Sequence, residues 1–325
     1  MKSLKKLFST VALIGVASSC AHAPDSSHAQ SREGKGQIYV FESDASGFNT
    51  KTVFYDNGAE VVAFDAQFTP ALAAQAIAFL RQKTASPITY LVITHPNPDK
   101  FNGLGVFKQV GAKVIASEAT TLAMPEVHAY KKAYFVNAKM FTDATYPKLG
   151  TVDRTFKGKL DLRLGDGEQV QLSELSGPGV SSTQTVAFIP RVNTLVVGDL
   201  VHHKAHAWLE GGIVGGKPTP TIASWIKDLQ ELSGRFGGFN PTVYGGRGEA
   251  APLSVVLPSQ IAYLKAADQI VGDYVAHLGA SKVELSGDKA GLHWAALQKT
   301  FEHAYPDYAL GYMIQYGVYG LALSK

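Results

Sequence analysis

The chain carries a single cysteine, Cys20, in 325 residues. That excludes a disulfide within the part beyond it, along with thiolate nucleophiles and thiolate metal ligands. An excess of one charge is lacking as well. Setting aside Lys2, Lys5 and Lys6 from the 30 basic residues leaves 27, against 27 acidic ones. Without a basic stripe to track phosphates, nucleic acid is a poor partner. The apolar run from Leu7 to Ala17 is too short to cross a bilayer as a mature helix. No solenoid-type repeat is present. With 46% hydrophobic and 18% charged residues, the composition is that of an ordinary globular protein. The length suits one large domain or two modest ones with a sizeable core.

Lys2, Lys5 and Lys6, then the apolar run, then small residues make a secretory signal peptide of residues 1–23. Two cleavage readings stand. Ala17-Ser18-Ser19-Cys20 resembles a lipoprotein box, with Ala where Leu is usual, and would leave a lipidated Cys20 as the membrane attachment. Ala21-His22-Ala23 suits ordinary signal peptidase. Either way the expectation is an exported bacterial protein, periplasmic or an outer-membrane lipoprotein. Residues 24–36 are polar and read as a flexible tether.

From residue 37 the pattern alternates. Gln37–Phe41 starts ordered structure, and Lys51–Tyr55 and Glu60–Asp65 make a hairpin around Asp56-Asn57-Gly58. Thr69 is an N-cap candidate for a helix over 70–83. Tyr90–Thr94 reads as a buried strand, 104–110 as a helix and Lys113–Ala116 as a strand. Residues 118–158, with Tyr130, Tyr134, Phe135 and Phe141, fit an aromatic insertion over a site or an ordinary core helix. Strands return at Leu160–Leu164, Gln169–Leu172, Thr185–Ile189 and Thr194–Val197. An amphipathic helix runs from Ile222 to Leu232, followed by a short strand Thr242–Tyr244. Helices are expected around 258–279 and 290–303, then an aromatic-rich tail. This is an α/β layered pattern.

The most informative stretch is Thr94-His95-Pro96-Asn97-Pro98-Asp99-Lys100-Phe101-Asn102-Gly103. It resembles the zinc motif of the metallo-β-lactamase superfamily, Thr-His-x-His-x-Asp-His-x-x-Gly, with two histidines replaced. Other segments are similar in the same order. Val62-Ala63-Phe64-Asp65 resembles the family's Val-Val-Val-Asp strand. Leu195-Val196-Val197-Gly198-Asp199-Leu200 resembles the strand ending in its bridging aspartate. Val243-Tyr244-Gly245-Gly246-Arg247-Gly248 resembles its final Pro-Gly-His-Gly turn. The resemblance covers roughly residues 37–250. It implies a four-layer αββα sandwich over 37–325, with 252–325 a mainly helical C-terminal extension.

The family binds two zinc ions with five histidines and two aspartates. The resemblance keeps His95, Asp99 and Asp199 at ligand positions. It places Asn97, Lys100, Val180 and Arg247 where the family has histidines. Zinc needs three or four imidazole, carboxylate or thiolate ligands. What remains suits one zinc or other divalent ion, or none. Lys100 and Arg247 are expected to pair with Asp99 and Asp199 and to stand in for the second zinc, since unpaired buried carboxylates are costly.

His202-His203-Lys204-Ala205-His206-Ala207-Trp208 follows Asp199 directly. His202 and His206, four apart, would share one face of a helical turn. They are candidates for a relocated metal site with His95, Asp99 and Asp199, or for acid–base work; surface histidines are the plainer reading. Ser181 reads best as part of a Ser/Thr turn. The candidate catalytic residues are His95, Asp99, Lys100, Asp199, His202 and Arg247. Asn97, Ser181, His206, Trp208 and Tyr244 are candidates for holding a substrate. Gly211-Gly212 and Gly215-Gly216-Lys217-Pro218 read as a mobile rim loop.

Two functions follow from the resemblance. One is a hydrolase of an ester, lactone or amide such as a β-lactam, with an atypical, zinc-poor site. The other is a non-catalytic periplasmic binding or scaffold protein on the same fold, favoured by the loss of four family histidines. The expected partner is a small molecule, and the oligomeric state is not legible in the sequence.

Overall fold

The computed structural model describes residues 36–325. The expected signal peptide of residues 1–23, with Cys20, and the expected tether up to residue 35 lie outside the described residues.

Strands β1 (Gln37–Glu42), β2 (Lys51–Asp56) and β3 (Val61–Phe64) form an antiparallel meander. The pairing then turns parallel through β4 (Ile88–Val92), β5 (Lys113–Ser117) and β6 (Arg154–Phe156). Parallel neighbours need crossovers. These are made by α1 (Pro70–Arg81), the short α2 (Pro98–Phe101) and α3 (Leu104–Gln109), and α4 (Glu118–Asn137). The start of α1 is fixed locally: the Thr69 hydroxyl accepts from Leu72 N at 3.2 Å, and Pro70 takes the first turn.

The second sheet begins with β7 (Lys159–Arg163), β8 (Gln169–Glu174), β9 (Thr185–Ile189) and β10 (Thr194–His203), antiparallel neighbours throughout. A separate hairpin of β11 (Gly212–Val214) and β12 (Lys217–Thr219) and the helix α5 (Ile222–Phe236) follow. β13 (Thr242–Gly248) returns parallel to β10, and β14 (Ala251–Pro252) closes the edge. The chain ends in α6 (Leu253–Leu278), α7 (Ala290–Ala304) and α8 (Tyr312–Leu323).

Three apolar layers define the sandwich. Val62, Val92 and Ile115 of the first sheet face Leu172, Ala187 and Val196 of the second. On the outer side of the first sheet, Leu91 and Val114 pack on Ala76, Leu80 and Phe107. On the outer side of the second, Phe188, Leu195 and Val197 pack on Leu229, Leu264, Leu297 and Val318. This is the expected αββα architecture, and the C-terminal helices share the core of the second sheet. Among the described residues no helix is long and apolar enough to cross a membrane.

The departures from expectation cluster in the second half. β10 extends to His203 and β13 to Gly248, so the segment 202–206 forms no helical turn. The rim loop forms a hairpin: Gly215 and Gly216, with φ of 60° and 71°, supply the two left-handed residues such a turn requires. The aromatic tail contains a full helix, α8, whose apolar residues run nearly all round because it is buried. In the first half, residues 118–137 form one helix capped by Ser117, in line with the helix reading of that stretch.

Candidate active site

The site is assembled where the two sheets deliver residues from the ends of β3, β4, β10 and β13. Asp65, just past β3, has a φ of 66°, and its carboxylate accepts from Thr94 N at 2.9 Å. The Thr94 hydroxyl also reaches both oxygens of Asp65, at 3.0 and 2.9 Å, and lies 2.8 Å from Nδ1 of the adjacent His95. The chain then turns into α2, whose single turn presents Asp99 and Lys100. Lys100 O accepts from Ala66 N at 2.7 Å, tying this turn back to the first sheet.

Asp199 comes from an irregular part of β10, where its register with β13 shifts on either side of Gly198. Such a bulge re-aims side chains. Gly198 has a φ of 52°, and a Cβ there would run into the Thr94 hydroxyl. Only glycine therefore lets β10 approach Thr94 and His95 this closely.

Four charged groups meet in the interior. Lys100 Nζ lies 2.7 Å from Asp99 Oδ2 and 2.9 Å from Asp199 Oδ1. The Arg247 guanidinium spans the same two carboxylates, with Nη2 2.9 Å from Asp99 Oδ2 and Nη1 2.6 Å from Asp199 Oδ2. Arg247 also donates from Nε to Phe48 O and from Nη2 to the Thr50 hydroxyl, which in turn donates to Asp99. All four are buried, Lys100 completely.

Burial works to raise the Asp99 carboxyl, but Lys100 and then Arg247 outweigh it and hold it down at about 2. Burial likewise opposes ionisation of Asp199, and Arg247 and then Lys100 outweigh it and hold it well below the usual carboxylate range. Burial would lower the Lys100 ammonium, yet Asp199 and Asp99 raise it above its ordinary value. The cluster is ionised and internally neutral.

This arrangement does not fit the zinc that the resemblance implies. Two of the positions where the family has histidines carry cations, and those cations bridge the two carboxylates. Val180, packed in the core, offers no donor. Among the described residues no group of three or more His, Cys, Asp or Glu side chains is placed to hold a metal ion.

The remaining candidates fall into two sets. Asn97 and Trp208 line a pocket over the cluster together with Asp99, Asp199, Arg247 and Lys131. Ser181 stands behind Asn97, its hydroxyl 3.3 Å from the amide oxygen. The pocket walls are Phe48, Phe68 and Phe135, and its free volume is only ≈ 20 Å³, room for about one water molecule. His202 is buried near the cluster with neither ring nitrogen partnered, and burial pushes it down to about 3.

His206 is not part of this site. Because 202–206 is strand and loop rather than helix, the two histidines do not share a face. His206 Nδ1 lies 3.1 Å from the Tyr263 hydroxyl, among Phe301, Tyr305 and Tyr308. The structure therefore does not bring His202 and His206 together as metal ligands. Tyr244 points away too, packing against the apolar layer between the sheets.

Sequence reasoning missed Thr50, Lys131 and Glu210. Lys131 is buried, hydrogen-bonded to Glu210 Oε2, and lies 4.8 Å over the Trp208 ring. Trp208 Nε1 donates to the same Glu210 oxygen at 2.8 Å. The available signal was a Lys131-Lys132 pair among the tyrosines and phenylalanine of α4, of which only Lys131 is buried.

A model of the metallo-beta-lactamase superfamily matches residues 46–239. No curated protein matches the sequence. Solved structures do. A metallo-beta-lactamase from Pontibacter korlensis is 19% identical with a TM-score of 0.53, over 71% of this chain and 95% of its own. The FIM-1 metallo-beta-lactamase from Pseudomonas aeruginosa, in its mono-zinc form, is 15% identical with a TM-score of 0.52, over 71% and 91%. A metallo-beta-lactamase from Hirschia baltica is 16% identical with a TM-score of 0.50, over 71% and 93%. At these identities the likeness carries the fold and leaves the chemistry to the side chains.

Proposed function

We propose that this chain, which belongs to the metallo-beta-lactamase superfamily, is a hydrolase of an ester, lactone or amide that works through its own side chains rather than through bound zinc. The superfamily fold suggests hydrolase-like chemistry; the substrate class and the metal-free site are our reading.

The observation that supports it is the mounting of His95. The Thr94 hydroxyl has one proton, and with two Asp65 oxygens in reach it donates there. It must then accept from His95 Nδ1–H. In the neutral imidazole that leaves the lone pair on Nε2, which is buried without a hydrogen-bond partner and lies 3.6 Å from Asp199 Oδ2. A general base needs a fixed tautomer and a free lone pair, and neutral His95 offers both. Its competitors are too weakly basic: Asp99 sits at about 2, Asp199 lower than usual, His202 at about 3.

In this scheme His95 takes a proton from a water admitted beside Asp199, and the hydroxide attacks the carbonyl. The amide of Asn97 and the Arg247 Nη1–H not engaged by Asp199 offer donors to the developing oxyanion. His95 returns the proton to the leaving group. Asp99 and Lys100 hold Asp199 and Arg247 in place. The signal peptide would put this activity in the periplasm or on an outer-membrane lipoprotein.

A second reading has its own support. The free volume over the cluster is only ≈ 20 Å³, and Lys100 and Arg247 already pair with both carboxylates. A non-catalytic binding or scaffold protein fits that closure.

Assay of the full protein on aryl esters, aryl lactones and a chromogenic β-lactam, with and without a chelator, separates the two. The hydrolase reading expects chelator-insensitive turnover that falls by roughly 100-fold or more in His95→Gln. Turnover unchanged in that variant removes His95 from the mechanism. No turnover on any substrate leaves the second reading.

A further inference from the structure

We infer that Lys100 and Arg247 together hold the place and the charge of a divalent cation between Asp99 and Asp199, masking a latent metal site. It rests on the metal-free reading of the site, but its readouts are metal content and folding rather than turnover, so a His95 variant with unchanged turnover leaves it standing.

The charge count is the first argument. Two buried carboxylates face two buried monocations, so the group is neutral. The geometry is the second. Each cation touches both carboxylates, at 2.6 to 2.9 Å, as a bridging ion does; two separate ion pairs would not require this. The third argument is the unused donor. His95 Nε2 is buried, lacks a hydrogen-bond partner and lies 3.6 Å from Asp199 Oδ2. The neighbouring backbone leaves the space for the cations: a Cβ on Gly246 would strike Asp199 Oδ1 and lie 3.0 Å from Lys100 Nζ.

Remove both cations and two negative charges remain buried. They must then take up protons or a dication. Putting imidazoles at both positions supplies two neutral donors beside Asp99, Asp199 and His95, enough for a tetrahedral ion.

The test uses the full chain without an affinity tag, as wild type and as Lys100→His/Arg247→His. Each is dialysed against zinc, then against metal-free buffer, and analysed for elemental zinc and thermal unfolding. The double variant is expected to keep about one zinc per chain and to melt several degrees higher with zinc than without, because an ion that binds only the folded form stabilises it. Wild type is expected to keep none and show no shift. Zinc retained by wild type at one per chain, or a folded double variant that takes none, overturns the inference.

A second pair covers poor folding of that variant. Lys100→Met leaves one uncompensated negative charge and is expected to gain thermal stability from added zinc. Asp99→Asn/Lys100→Met, which removes one charge of each sign, is expected to gain none. An equal response of the two overturns the inference as well.

Discussion

Lys100 Nζ lies 2.9 Å from Asp199 Oδ1 in a part of the core closed to solvent. Burying both charges costs desolvation that their attraction roughly offsets, so the pair adds little compared with an apolar core. Breaking it is different, because the surviving charge stays buried. Lys100→Met is expected to lower the unfolding free energy by about 3–5 kcal/mol, read from urea melts at neutral pH. A loss below about 1 kcal/mol would mean that Asp99 and Asp199 find water or relax outward.

Gly246 sets how tightly β13 approaches the cluster. Its φ lies outside the left-handed region, so alanine there strains no backbone, but the added Cβ collides with Asp199 Oδ1. Gly246→Ala is expected to destabilise by about 1–3 kcal/mol through overpacking. Gly105, in α3 with open space around it, is the control: alanine there should stabilise by about 0.5–1 kcal/mol. Equal effects at both positions would show that the cluster tolerates displacement.

These two predictions draw on different amounts of sequence information. The pairing of Lys100 and Arg247 with the aspartates could be read from the motif replacements, because each replaced position had a known neighbour. The alternation of strands and helices through β5, with Thr69 opening α1, followed from local periodicity and capping. What could not be read depends on the fold itself. The histidines after Asp199 have helical spacing, yet β10 continues through them because β13 supplies its hydrogen bonds; tertiary pairing overrode the local pattern. Lys131 and Glu210 are 79 residues apart, and no local pattern signals their contact. Phe48, with a φ of 58°, reaches the pocket through a backbone conformation that its residue type does not advertise.

His202 gives a pH signature. Burial lowers it from 6.5 to about 3 in the folded protein. Its stabilising contribution is therefore complete above the unfolded value of 6.5, and is lost progressively as pH falls from there toward 3, since the unfolded chain takes up the proton first. Within that window the slope from one such group approaches about 1.4 kcal/mol per pH unit. His202→Leu removes it, along with two unpartnered ring nitrogens. Urea melts of both proteins at pH 7, 5.5 and 4.5 should diverge, with the variant gaining on wild type as pH drops. Taking the difference cancels the cluster carboxylates, whose own loss sets in below their unfolded values near 4. Parallel profiles would place a hydrogen-bond acceptor or water at His202 in the folded state.

The wall of the pocket rests on Lys131 and Glu210, and that pair decides whether the wall is rigid. Glu210 Oε2 accepts from both Lys131 Nζ and Trp208 Nε1, while the ammonium lies over the Trp208 ring. One carboxylate thus fixes a cation and an indole that both line the pocket. Glu210→Gln leaves the Lys131 charge buried without its counter-ion and is expected to destabilise by about 3–5 kcal/mol. Lys131→Met/Glu210→Gln removes both charges and should recover part of that loss, giving a coupling energy of about 0.5–3 kcal/mol in the cycle. The indole reports the geometry separately. Trp208 should fluoresce differently in Glu210→Gln than in the double variant, because the cation over its ring persists in the first and is gone in the second. A zero coupling energy with unchanged emission would mean that the wall is held by the Phe48, Phe68 and Phe135 packing alone, and that Lys131 is free to swing aside for a ligand.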